Sequence, residues 1–237
     1  MTQQEFIVSL EEKGIVLSEK QIEQFEKYYE ILVEWNEKMN LTAITDREGV
    51  YLKHFYDSLT IAFDFPFSNQ TICDVGAGAG FPSVPLKIVY PELNVTIVDS
   101  LNKRINFLNE VINKLNLVNI ETVHSRIEDF GKDKKYRESF DFVTARAVAN
   151  LAVLSEYLLP IAKVGGQCVC MKGSSVEEEL SNGKNAIKVL GGKIKNIDEF
   201  VLPDSDMSRN VIIIDKIKNT PNKYPRKAGI PVKEPLK

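Results

Sequence analysis

The sequence predicts an α/β chain: a mainly parallel, seven-stranded Rossmann-like sheet with helices on both faces, preceded by a helical extension. Three observations carry this reading. From about Gln70, short β-branched runs alternate with helical segments, the rhythm of right-handed strand–helix–strand units. The first of those runs ends in an acid and then in glycines alternating with alanine, "DVGAGAG". Residues 1 to about 65 lack any strand rhythm and carry the three-and-four apolar spacing of helices instead.

Each element follows in order. In "SEKQIEQFEKYYEILVEWNEKMN", apolar side chains fall at Ile22, Phe25, Tyr29, Leu32, Val33 and Met39, with Asn36 the one polar break, so one helix face is expected to be buried. Ser18 precedes it as N-cap, and Gln21 completes a capping box. "NLTAIT" reads as a turn, after which Thr45 or Asp46 caps a second helix containing "GVYLKHFYDSLTIAF". Trp35 is assigned to anchoring the two halves, and His54, Asp57 and Ser58 to a roof over a site. The strands are "TICDV", "NVTIVDS", "NIETVHS", "SFDFVTARA", "GGQCVCMKG", "GGKIKNIDEFVLP" and "RNVIIIDKI". No helix separates the last two, which predicts an antiparallel hairpin at one sheet edge. The resulting division is 1–66 for the helical extension, 67–217 for the sheet domain and 218–237 for a basic, Pro-rich tail.

Totals exclude several classes. Of 237 residues, 43% are hydrophobic and 27% charged, enough to bury a core. No apolar run is long enough for a membrane span, and the N-terminus does not read as a signal peptide. Three cysteines, Cys73, Cys168 and Cys170, make no disulfide framework; Cys168 and Cys170 point to one sheet face as small core residues, and a reducing cytoplasm fits. His54 and His124 have no companion ligands at metal spacing. Net charge is −3, yet Lys216 to Lys237 holds seven Lys or Arg against one Glu. With four prolines, that tail is expected to be extended and poorly ordered, either a solubilising segment or a phosphate-seeking arm.

The glycines define the candidate site. Gly76, Gly78 and Gly80 sit where the first strand ends and a helix starts near Pro82 or Ser83, the place where open parallel sheets bind ligands. Missing Cβ atoms let a ligand meet the backbone directly. A dinucleotide fold shares that feature, but here the order is D-x-G-x-G-x-G, and no Lys-Ser or Lys-Thr follows as in a P-loop. An acid at Asp74 suits a cationic or amine-bearing ligand. Asp99 closes the next strand, 21 residues after Gly78, where a carboxylate accepts ribose hydroxyls. After the third strand, Ile127 is expected against a purine face, with Glu128 or Asp129 accepting from its amino group; Arg146 ends the fourth strand at the mouth of the pocket. These features look like a class I S-adenosylmethionine-dependent methyltransferase.

"WNEKMNLTAIT", "KHFYDSL", "DVGAGAGFPSVPLKI", "VDSLNKRINFL", "SRIEDF", "TARAVANL" and "RNVIII" occur in one order. The series resembles the bacterial RsmG (GidB) family from about Phe6 to Ile217. The resemblance implies a cytoplasmic enzyme that methylates N7 of a guanine in 16S ribosomal RNA, free or in the small ribosomal subunit, with S-adenosylmethionine as donor. It also implies donor contacts at Gly76, Phe81, Ile127, Glu128 and Arg146. From the residues themselves come Gly78 and Asp99 for the donor, Arg146 and then Arg126 as catalytic arginines, and Lys172 and Arg209 for RNA. "ARAVANL" stands where exocyclic-amine methyltransferases carry an Asn-Pro-Pro-aromatic motif, and no cysteine is placed as the nucleophile that pyrimidine C5 methylation needs. A small-molecule methyltransferase and a non-catalytic RNA-binding assembly factor are the alternatives. A monomer is expected.

Overall fold

The computed structural model describes residues 1–146, 148–173 and 176–236. Helix α1 (Gln3–Glu11) is capped by Thr2 in a capping box with Glu5. Helix α2 (Glu19–Met39) starts at the expected box, Ser18 with Gln21, and ends where Asn40 turns into the left-handed region. Its buried centre is Phe25, Tyr28, Ile31 and Leu32, rotated from the face inferred through Tyr29 and Val33. A large apolar or aromatic residue occupies almost every flank of that stripe, so the spacing alone does not choose the orientation.

Asp46, one of the two expected caps, accepts the Gly49 N–H and opens α3 (Arg47–Val50). The helical path continues as a π-helical segment, Tyr51–Tyr56, then α4 (Asp57–Leu59) and a 3-10 turn, Thr60–Phe63. The wider π turn is a common device at functional sites.

Seven strands follow: β1 (Thr71–Val75), β2 (Asn94–Asp99), β3 (Ile120–His124), β4 (Phe140–Arg146), β5 (Ala162–Lys172), β6 (Gly192–Val201) and β7 (Ser208–Lys216). Their order is β3-β2-β1-β4-β5-β7-β6. Pairings from β3 through β5 are parallel; β7 runs antiparallel to both β5 and β6, the expected edge hairpin. The order reverses between β1 and β4, which opens a crevice beyond their carboxyl ends. Connecting helices are α5 (Ser83–Val89), α6 (Asn102–Lys114), α7 (Ile127–Phe130), α8 (Leu151–Leu158) and α9 (Glu177–Val189).

Two cores cover the two sheet faces. One joins Phe6, Phe25 and Phe55 of the N-terminal helices to Val84, Phe107 and Ile97. Trp35 meets Phe107 edge-on at 5.7 Å, linking α2 to α6. The other core contains Phe130, Leu154 and Ile212 together with Cys73, Cys168 and Cys170, all three buried as free thiols.

The C-terminal segment corrects an expectation. It is folded against the second core, with Tyr224 and Pro231 buried and a short helix α10 (Ile230–Lys233). Its basic character misleads, because Arg226 is spent on an internal ion pair: Nε and Nη2 donate to the Glu156 carboxylate at 3.0 and 2.7 Å.

Candidate active site

A cavity of 660 Å³ lies beyond the carboxyl ends of β1, β2 and β4. Gly76 and Gly78 line it in left-handed backbone conformations, φ +66° and +59°. At Gly78 a Cβ would meet no atom within 4 Å, so the backbone there faces open space in the cavity. At Gly76 it would come within 3.1 Å of Val148. Gly80 has a different purpose from the one its spacing suggested. A Cβ there would sit 2.7 Å from both Tyr28 Oη and Val84, so this glycine lets α2 and α5 close on the loop. Tyr28 Oη in turn donates to Ala79 O.

Asp74 also differs from the expectation. Its wholly buried carboxylate turns away from the cavity to accept the Ser83 N–H at 3.1 Å, at the start of α5. Burial raises its pKa to about 7, against the hydrogen bonds from Ser83, and Oδ1 has no hydrogen-bond partner among the described residues.

Asp99 does line the cavity. One oxygen accepts the Leu101 N–H at 2.9 Å and the other faces Arg104 Nη1 at 3.3 Å. An ionised carboxylate has about four acceptor sites, so capacity remains for a diol. Ile127 and Glu128 open α7 and line the next stretch of wall, followed by Tyr157. Glu128 is committed in part within the chain, because its Oε1 accepts the Gly229 N–H at 3.1 Å. Arg126, the N-cap residue of α7, lies exposed at the rim.

The far end is an aromatic and cationic stack. His54 lies over Phe81 at 4.6 Å, nearly parallel, and the Arg146 guanidinium sits 4.8 Å from the same ring. Arg146 donates through Nη1 to Lys53 O (3.1 Å) and to Asp57 Oδ2 (3.2 Å), and through Nη2 to His54 Nδ1 (3.2 Å). Nδ1 also lies 3.0 Å from Lys53 O, and Nε2 lies 2.8 Å from the Thr42 hydroxyl, so each ring nitrogen has a polar partner. Burial, helped by the Arg146 charge, drives the His54 pKa down to about 3. The imidazole is therefore a neutral spacer with both nitrogens engaged.

The remaining sequence candidates scatter. Arg209 lies outside the cavity wall, its Nε donating to the other oxygen of Asp57 at 2.9 Å. Lys172, expected to contact RNA, has a side chain 9% exposed and held by Glu179 at 2.7 Å and by Ala149 O. None of the three thiols reaches the cavity, and burial holds each well above its ordinary pKa. Among the described residues no group of His, Cys, Asp and Glu is arranged to hold a metal ion. No helix of the described residues is long and apolar enough to cross a membrane.

Spacing alone missed Thr42, Arg104, Val148, Tyr157, Gly229 and Val232, which also line the cavity. Only Arg104 had a signal, since it follows Asp99 by about one helical turn. Tyr157 lies near the end of α8, and the rest come from loops or from the C-terminal segment, where no periodicity marks them.

Comparison with known proteins gives the same direction. The family model described as "rRNA small subunit methyltransferase G" matches residues 21–211. Proteins named "Ribosomal RNA small subunit methyltransferase G" from Exiguobacterium sibiricum and Lysinibacillus sphaericus are 59% and 60% identical to this chain over 237 residues, covering all of it and all of their own length. Among solved structures, a SAM-dependent methyltransferase from Aquifex aeolicus is similar in fold, with TM-score 0.54 at 18% identity over 77% of this chain and 97% of that one.

Proposed function

The chain belongs to the rRNA small subunit methyltransferase G family, and on that premise we propose that it transfers the methyl group of S-adenosylmethionine to N7 of a guanine in 16S ribosomal RNA. The observation that carries the proposal is one cavity combining side-chain-free backbone at Gly78, a carboxylate with spare acceptor sites at Asp99, and a fixed arginine–aromatic stack at Arg146 and Phe81.

The residues present fit this donor. Gly76 and Gly78 would admit its amino-acid portion, Asp99 would accept the ribose hydroxyls, and Ile127 with Glu128 would flank the purine. When bound, the donor supplies an electrophilic methyl on positively charged sulfur.

The protein's part is alignment and electrostatics. Guanine N7 presents a ring lone pair with no proton to remove, so no general base is required. The site agrees with that demand, because the nearest imidazole, His54, is neutral with both nitrogens engaged and cysteine chemistry is out of reach. Arg146, held by Asp57, Lys53 O and His54, keeps a planar cation against Phe81, from where it orients the donor or the target base. Arg126 at the rim is the second candidate, suited to a phosphate or to guanine O6. Lys172 and Arg209 are left out, since both are tied into internal ion pairs. The protein would work as a monomer in the cytoplasm on RNA or on the small subunit.

The test uses isotopically labelled donor with small subunits lacking the modification. Label is expected at a purine sensitive to alkali and borohydride, the signature of an N7-alkylated guanine. Label on an exocyclic amine would refute N7 transfer. Gly76→Arg fills the cavity and is expected to abolish donor binding in calorimetry; undiminished binding removes the assignment of the pocket.

A further inference from the structure

The cavity has a wall that the sheet and its crossover helices do not supply. After β7 the chain turns back, and Gly229 and Val232 reach the cavity. This segment is fastened at several points. The Arg137 guanidinium donates to Thr220 O and to Tyr224 O, each at 2.7 Å. The Glu156 side chain, only 1% exposed, takes the Arg226 fork and also the Arg226 N–H at 2.8 Å. Gly229 N–H then closes onto Glu128 Oε1.

This anchoring buries Tyr224 and Pro231 but leaves one apolar side chain of the segment, Val232, uncovered. Val232 lines the cavity yet is 60% exposed. A single exposed valine is ordinary. One held at a cavity mouth by a buried ion pair is placed for something to cover it. The bond from Gly229 to Glu128 locates the contact at the α7 end of the cavity, the end away from Arg146 and next to Asp99. That is the purine end of a donor whose ribose sits on Asp99.

We propose that residues 224–234 form a strap that belongs to the donor site, with Val232 packing on the purine of S-adenosylmethionine and Gly229 fixing the Glu128 carboxylate beside it. The inference rests on the donor reading above and adds a binding element to it. It also gives the basic C-terminal segment a role other than seeking phosphate.

Calorimetry on the full chain, on Val232→Asp, and on a chain ending at Lys227 separates the possibilities. The shortened chain keeps Arg226 and its bonds to Glu156, and thermal unfolding of each variant without donor checks its fold. Each change is expected to weaken S-adenosylmethionine binding about tenfold, the value of one buried valine-sized contact. The same ratio is expected for 5′-methylthioadenosine, which has the purine and ribose but no amino-acid portion. Unchanged affinity in folded Val232→Asp, or tighter binding by the shortened chain, overturns the strap. A loss seen with S-adenosylmethionine but not with 5′-methylthioadenosine overturns its assignment to the purine. Absence of binding by the full chain sinks the donor reading itself.

Discussion

His54 shows how much of a residue's behaviour is decided by its surroundings. Its folded pKa of about 3 lies far below the ordinary 6.5, because burial and the Arg146 guanidinium both oppose a second positive charge. Between those values the unfolded chain binds a proton that the folded chain refuses. The stability contribution is therefore complete above 6.5 and is lost as pH falls through that window. Asp74 titrates in the opposite sense: its carboxyl, raised to about 7, favours the folded state as pH falls toward 4. His54→Gln retains Asp74, so the difference between the two proteins isolates the histidine. Going from about pH 7.5 to about pH 5.5, the unmodified chain is expected to lose about 1 kcal/mol more unfolding free energy than His54→Gln in urea titrations. Equal losses would mean that His54 is not held neutral. The sequence marked His54 as a packing residue in a roof, which agrees with its stack on Phe81. Its Arg146 and Thr42 partners were not assigned there, because one lies 92 positions away and the other sits in a turn whose approach to His54 only the fold decides.

At the scale of elements, local rules placed what depends on local chemistry. The Ser18 box, the Asp46 cap, the strand–helix alternation and the β6–β7 hairpin all follow from residues within one or two turns of each other. The orientation of α2 did not, since Tyr28 and Tyr29 are chemically alike and only the meeting with Phe55, Phe81 and Ala79 selects Tyr28. The C-terminal strap is the larger departure. Four prolines and a surplus of positive charge describe an unfolded segment, unless a buried carboxylate elsewhere needs a cation. Glu156 is that carboxylate. Arg226→Met alone strands it and is expected to cost about 3–5 kcal/mol, whereas Arg226→Met with Glu156→Leu should recover most of the loss. Denaturant midpoints at constant slope give the comparison. A double variant no more stable than the single one would show that the ion pair is not what holds the strap.

For the molecule as a whole, Asp57 is the tie between the N-terminal helices and the sheet. One carboxylate accepts from Arg146 at the end of β4 and from Arg209 at the start of β7. Asp57→Asn leaves Arg146 buried without its counter-charge and is expected to lower stability by about 3 kcal/mol. It should also slow methyl transfer in single-turnover assays by a larger factor than it weakens donor binding, because the purine and ribose contacts lie at the other end of the cavity. Equal factors would assign Asp57 to folding only. The sequence alone determined the sheet, the crevice at its carboxyl edge and the glycines and Asp99 that line it, since all are written as periodicity and spacing within single strand–turn–helix units. Only the tertiary structure decided which charges are available. Arg146 meets Asp57 across 89 positions, Arg209 meets it across 152, and Arg226 meets Glu156 across 70. Coulomb energy and desolvation depend on distance and burial in space, and no window of sequence contains either.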